Sequence, residues 1–134
     1  MLNLNNQPIG LLDSGLGGLT VLKQVQAILP NENTIFIADQ KNLPYGEKTP
    51  EEILTFSRQL VQFLLQQNVK AIIFACNTAT AWAMETIRAE VDVPLIGVIQ
   101  SGSLAASQVT QNQQVGVIAT KSTISAHAYQ KEMA

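Results

Sequence analysis

Apolar residues fall along this chain in two alternating rhythms. Short blocks rich in Ile, Val, Leu and Phe predict buried strands at 9–12, 34–38, 70–75, 94–99 and 115–119. Between them, apolar positions recur at helical spacing. Leu19, Leu22, Val25 and Leu29 form one stripe of a helix over 19–29 that Pro30 stops. The helix running to Gln67 carries Ile53, Phe56, Leu60, Phe63 and Leu64 on one face and has the clearest start signal. Thr49 is its expected N-cap, Pro50 takes the first helical position, and Glu52 completes a capping box. Further helices are predicted over 79–90, over 103–111 and from Ser122 onward. Strands alternating with helices predict an α/β fold, a parallel sheet flanked by helices on both faces. The last helical pattern reaches Ala134 without a Gly, Asn or Pro stop, as in a chain cut inside an element or a frayed end.

Composition narrows the class. The 134 residues are 46% hydrophobic and 13% charged, which suits one compact domain with a real core rather than a disordered chain. Net charge is −2 with no basic run, so no nucleic-acid partner is expected. No apolar run approaches the roughly 20 residues of a membrane helix, so no membrane partner is expected either. The stretch Met1 to Asn6 lacks the basic and apolar regions of a signal peptide. With one cysteine there is no disulfide framework, and a cytoplasmic location fits. No cysteine pair or paired-histidine spacing suggests zinc, and His127 is the only histidine.

Candidate chemistry gathers where strands hand over to helices, the ligand-binding edge of an open parallel sheet. The first strand runs into Asp13-Ser14-Gly15-Leu16-Gly17-Gly18. Asp13 reads as a base, as a holder of an ammonium group, or as a helix cap; Ser14 reads as a donor to a carboxylate or as a cap. The glycines would let the backbone turn sharply and approach a ligand. Neither a dinucleotide fingerprint nor a Walker A loop fits their spacing. The second strand leads through Asp39, a cap or salt-bridge partner, to Pro44-Tyr45-Gly46, a turn whose backbone could clamp an amino-acid-sized ligand. The third leads to Cys76-Asn77-Thr78. A thiol at a helix N-terminus is expected to be acidified, from about 8.5 towards roughly 3.5–7.5, and to act as nucleophile or base. The competing reading is a small buried hydrophobe. Asn77 and Thr78 offer donors and acceptors, and both also make good caps. Thr120 and Thr123 read as caps of the last helix or as contacts to a ligand carboxylate.

Taken in order, three segments resemble the aspartate/glutamate racemase family. They are Asp13-Ser14-Gly15-Leu16-Gly17-Gly18-Leu19-Thr20-Val21-Leu22, Pro44-Tyr45-Gly46 and Ala75-Cys76-Asn77-Thr78-Ala79-Thr80. The segments 94–99 and 115–120 are also similar to family segments. The resemblance implies an enzyme that interconverts L- and D-glutamate without pyridoxal phosphate or metal and supplies D-glutamate for peptidoglycan. It implies two α/β lobes with the substrate between them, here residues 1–99 as the first lobe and 100–134 as the start of the second. Cys76 is then one of two catalytic thiols, assisted by Asp13. Asp13, Ser14, Tyr45, Gly46, Asn77 and Thr78 fall on substrate-contacting positions. Inverting an α-carbon needs a proton carrier on each face, which explains a family that uses two cysteines.

This chain departs from that pattern. A second cysteine, which the family carries in a later Gly-Cys-Thr-His-type motif, is not among these residues, and Gln100-Ser101-Gly102 stands where Pro-Gly is common. The expectation is therefore a partial chain, inactive by itself, with apolar surface that the family covers with its C-terminal part. The full-length protein is expected to be a homodimer. Three other readings stay open: a racemase of aspartate or another acidic amino acid, an amino-acid-binding module without catalysis, and a cysteine hydrolase using His127.

Overall fold

The computed structural model describes residues 6–134, so most of the stretch read for a signal peptide lies outside the described residues. Among the described residues, four parallel strands form one sheet in the order β2-β1-β3-β4. They are β1 (Ile9–Asp13), β2 (Thr34–Ala38), β3 (Ala71–Phe74) and β4 (Leu95–Gly97). The central β1 is buried throughout, as its unbroken apolar run requires. The helices α1 (Leu19–Ile28) and α2 (Pro50–Gln66) follow β1 and β2, and α3 (Asn77–Trp82) and α4 (Met84–Arg88) follow β3. After β4 come α5 (Val98–Val109), α6 (Lys121–Ser125) and α7 (Ala128–Met133). The α/β class with a parallel sheet flanked by helices is the one the periodicities predict.

The start of α2 has the expected construction. Thr49 Oγ1 accepts from the Glu52 amide at 3.2 Å, and Glu52 Oε2 accepts from the Thr49 amide at 2.9 Å. The face α2 buries is Ile53, Ser57, Leu60, Val61 and Leu64; Phe56 is only part-buried, and Phe63, expected inside, is 42% exposed. These side chains pack with Leu12, Ile72, Phe74, Met84 and Ile87 into a single core on one face of the sheet.

Four expectations need correction. The stretch 94–99 is not one strand: after Gly97 the chain enters α5, whose Ile99 and Ser103 face inward one turn apart. A short apolar run has no period of its own, so strand and buried helix start look alike in sequence. The stretch 115–119 is not a strand. No neighbouring strand pairs with it among the described residues, and Val115 and Ile118 stand exposed. The helix expected over 79–90 begins earlier and is divided at Ala83. Finally, α1 forms where predicted but buries no residue. Between α1 and the β3–β4 side of the sheet lies an open, mostly apolar groove of about 450 Å³, lined by Val21, Val25, Ile73, Ile96 and Val98.

Candidate active site

The turn after β1 is organised by the last residue of that strand. Asp13 is buried, and its two carboxylate oxygens accept backbone amides of the following loop, Ser14 at 2.7 Å and Gly18 at 2.6 Å. Gly18, the N-cap of α1, is held so close that a Cβ there would lie 2.8 Å from Asp13 Cβ and 2.9 Å from Oδ2. The glycine therefore serves close approach. Among the described residues no glycine has a positive φ, so the sharp turn from β1 into α1 is made without a left-handed glycine.

β3 delivers Cys76 beside that loop. Cys76 is the N-cap of α3, with its Sγ accepting the Ala79 amide at 3.4 Å and donating to Ser14 Oγ at 3.5 Å. The helix-start amide is of the kind expected to acidify the thiol, yet the thiol pKa moves the other way. Burial disfavours the thiolate most and pushes the thiol above its ordinary value. The hydrogen bonds from Ser14 and Ala79 pull it down, and the charge of Asp13 pushes it up again. α3 has six residues, and one short helix terminus does not offset the desolvation of an inward-facing sulfur. In the resting chain Cys76 is a protonated thiol.

Asp13, Ser14, Cys76, Asn77 and Thr78 line one cavity of about 410 Å³, joined by Thr120. Thr78 Oγ1 lies 3.2 Å from both Thr120 Oγ1 and Thr123 Oγ1, which are 3.0 Å apart. Thr120 also caps α6 by accepting the Thr123 amide, the cap role considered for it, and the same side chain stands on the cavity wall. Thr123 is buried behind it and does not reach the cavity wall.

Tyr45 and Gly46 are placed differently. The Tyr45 ring is buried against Phe56, and its hydroxyl donates to Asp39 Oδ2 at 2.7 Å. Burial, then the bond to Asp39, drives its pKa far upward. Gly46 sits against Thr120, where a Cβ would meet Thr120 Cβ at 3.1 Å. Neither residue lines the cavity wall, although Gly46 packs directly behind Thr120, which does. Exposed His127, the histidine considered for a cysteine hydrolase, also does not line it. Gly15, Gly17, Thr20, Val21, Ala75 and Val98 complete the wall. Val98 follows the end of β4, so the strand-end rule could have flagged it. No group of three or more His, Cys, Asp or Glu stands together to hold a metal among the described residues. No helix of the described residues is long and apolar enough to cross a membrane.

A parallel α/β sheet with an acid, a serine and a cysteine converging at its carboxyl edge defines a small-molecule site suited to proton transfer. Residues 16–134 match the Asp/Glu/Hydantoin racemase family, and the chain belongs to it. It is 59% identical over 130 residues to glutamate racemase of Lactobacillus helveticus, an alignment covering 97% of this chain and 49% of that protein. A crystal structure of a glutamate racemase isoform from Bacillus anthracis superposes with a TM-score of 0.94 at 40% identity, covering 96% of this chain and 48% of that one. The Francisella tularensis glutamate racemase, crystallised with D-glutamate, gives a TM-score of 0.88 at 44% identity over 96% of this chain and 48% of that one. The chain thus spans about half the length of the curated relatives it matches.

Proposed function

We propose that this chain is the first half of a glutamate racemase, and that Cys76 exchanges a proton with one face of the substrate α-carbon. The observation that carries the reading is the convergence of Cys76 Sγ, Ser14 Oγ and the Asp13 carboxylate on one cavity wall. The named relatives supply the substrate. Their length leaves room for a second proton carrier, which a two-base inversion needs on the opposite face.

The resting thiol is suited to donating a proton. To remove one, it must first become a thiolate, which burial and Asp13 both oppose. An amino-acid ammonium group beside Asp13 would neutralise that carboxylate and favour the thiolate, so binding itself would prepare the base. Ser14 and the Ala79 amide then stabilise the sulfur anion. Asn77, Thr78 and Thr120 present neutral polar groups to the carboxylates of the substrate and to the charge that builds up as the α-proton leaves. Tyr45 and Gly46 contribute to the substrate site through backbone, and Gly46 also by backing Thr120. Residues 1–99 form the first lobe, with 100–134 opening the second. The complete protein works in the cytoplasm as a homodimer, and its D-glutamate enters peptidoglycan.

The test is the complete gene product with L-glutamate in heavy water. Deuterium at the α-carbon together with D-glutamate is the expected result, and absence of both rejects the assignment. Comparing turnover of glutamate and aspartate separates the two acidic substrates. The 134-residue chain alone, with its one cysteine, is expected to give no inversion, and measurable inversion would overturn the need for a second carrier.

A further inference from the structure

Asn77 is the cavity residue whose usefulness depends most on orientation. Its side chain ends in a carbonyl oxygen and an NH2 of nearly the same shape, so a half-turn exchanges an acceptor for donors. It is also exposed, which leaves that half-turn unhindered by packing. A residue far along the chain favours one orientation, because a phenol is a better donor than acceptor. The Tyr129 hydroxyl donates to Asn77 Oδ1 at 2.6 Å, across a separation of 52 residues.

The fold places Tyr129 there by a specific local device. His127 adopts the left-handed conformation, φ 53°, between α6 and α7, and the turn redirects the chain so that α7 packs along α5. The Tyr129 ring then lies against Gly102 of α5, where a Cβ would sit 3.7 Å from Cε1. Upstream of that turn, α6 is tied to α3 by Trp82 Nε1, which donates to Ser122 O at 3.1 Å and to Ser122 Oγ at 2.9 Å. The hydroxyl is therefore held on both sides, by the α6–α3 tie and by the α5 contact. Partial burial pushes the Tyr129 pKa upward, which keeps the hydroxyl a donor.

We infer that Tyr129 is a positioning residue for this site: by occupying Asn77 Oδ1 it reserves the Asn77 NH2 for the cavity and so favours an anionic ligand group. The inference rests on the reading of the cavity as an amino-acid site. It adds a specificity device carried by α7, outside the segments that resemble the family's strand-end motifs. Tyr129 touches no substrate and acts only through the amide.

The experiment is a double-mutant cycle in the complete gene product with Tyr129→Phe, Asn77→Ala and both changes. Tyr129→Phe keeps the ring and removes only the donor. It is expected to raise KM for glutamate roughly fivefold, the scale of one lost neutral hydrogen bond, with kcat little changed. On the Asn77→Ala background the same change is expected to do nothing further. An undiminished effect on that background would show that Tyr129 acts through packing and would overturn the inference, as would an unchanged KM in the single variant. A readout without substrate separates this from the functional reading. The Asn77 side-chain NH2 resonances, assigned by their loss in Asn77→Ala, should shift in Tyr129→Phe with no glutamate present. If they do not shift, the inference fails even in an active racemase; if they shift in a protein that leaves glutamate unchanged, the racemase assignment fails while the positioning contact stands.

Discussion

Asp13 and Asp39 end neighbouring strands of one sheet, and the Asp39 amide even donates to the Asp13 carbonyl at 3.0 Å. Their carboxylates nevertheless have opposite fates. A carboxylate offers about four acceptor positions. Asp39 fills them within its own loop: Asn42 N, Asn42 Nδ2 on both oxygens, and the Tyr45 hydroxyl make four contacts. Asp13 receives two, both from backbone amides, and keeps the remaining capacity on a wall of the cavity. The difference lies in what each loop donates. Side-chain donors in the loop after β2 saturate its acid and make it structural. Glycine backbone in the loop after β1 fixes its acid in place while leaving acceptor sites over for a ligand.

The largest effect should come from removing the charge that is left over. Asp13→Asn keeps the size and one acceptor, so the loop should still form, but kcat for glutamate inversion is expected to drop by about 10²–10⁴, the range for a proton-transfer assistant. Asp39→Asn should leave kcat/KM within a few-fold of the parent. Steady-state inversion by polarimetry compares the two directly. Equal losses in both variants would erase the distinction between them.

On stability the order reverses. Tyr45→Phe removes, and Asp39→Asn strips of its charge, the bond between a buried ring hydroxyl and a carboxylate; the first is expected to cost about 1.5–3 kcal/mol, as for hydrogen bonds to charged groups, and the second up to that amount. Urea midpoints of the complete protein measure this. Gly46→Ala in the same loop should cost less. Its Cβ would press Thr120 at 3.1–3.2 Å, and a shift of a few tenths of an ångström relieves the contact. Because Thr120 lines the cavity, the signature to seek is a changed KM rather than a changed melt. A Gly46→Ala protein less stable than Tyr45→Phe would mean that the loop is held by its backbone and not by its saturated acid.

How much of this could be read from sequence depends on whether the signal was local. The capping box of α2 is written in three residues, Thr49, Pro50 and Glu52, and forms as read. The strand ends that bring Asp13, Ser14, Cys76, Asn77 and Thr78 to one cavity follow from the alternation of strands and helices alone. What failed needed partners distant in sequence. Residues 115–119 have strand composition, but a strand requires a neighbour, and among the described residues none pairs with them. Cys76 has the local marks of an acidic thiol, but the core that buries it comes from α2, β3 and α3 together, and desolvation decides its proton. Tyr45 stands out in the sequence as a candidate loop residue, whereas its bond to Asp39 depends on a ring turned inward. The open groove beside α1 is the counterpart of that lesson. The stripe of Leu19, Leu22 and Val25 is amphipathic by pattern, and pattern does not say what covers it.

The mildest contrast between the loops appears only in alkali. Folding raises the pKa of Cys76, beside the Asp13 loop, above 9.0 and that of Tyr45, in the Asp39 loop, above 10.0. In each case the folded protein keeps a proton that the unfolded chain gives up. The associated stability is fully present below the unfolded pKa and is lost as pH rises above it, at up to about 1.4 kcal/mol per pH unit for each group. The loss should begin near pH 9 for the thiol and near pH 10 for the phenol. Cys76→Ala is expected to remove the first onset and leave the second, and Tyr45→Phe to do the reverse. Denaturation curves of the parent and both variants between pH 8 and 10.5 resolve the two onsets. If the Cys76→Ala protein follows the parent in parallel through pH 9–10, the thiol is not held protonated by burial. Its pKa would then lie at the unfolded value, and desolvation would not be the barrier that an ammonium group beside Asp13 helps to lower.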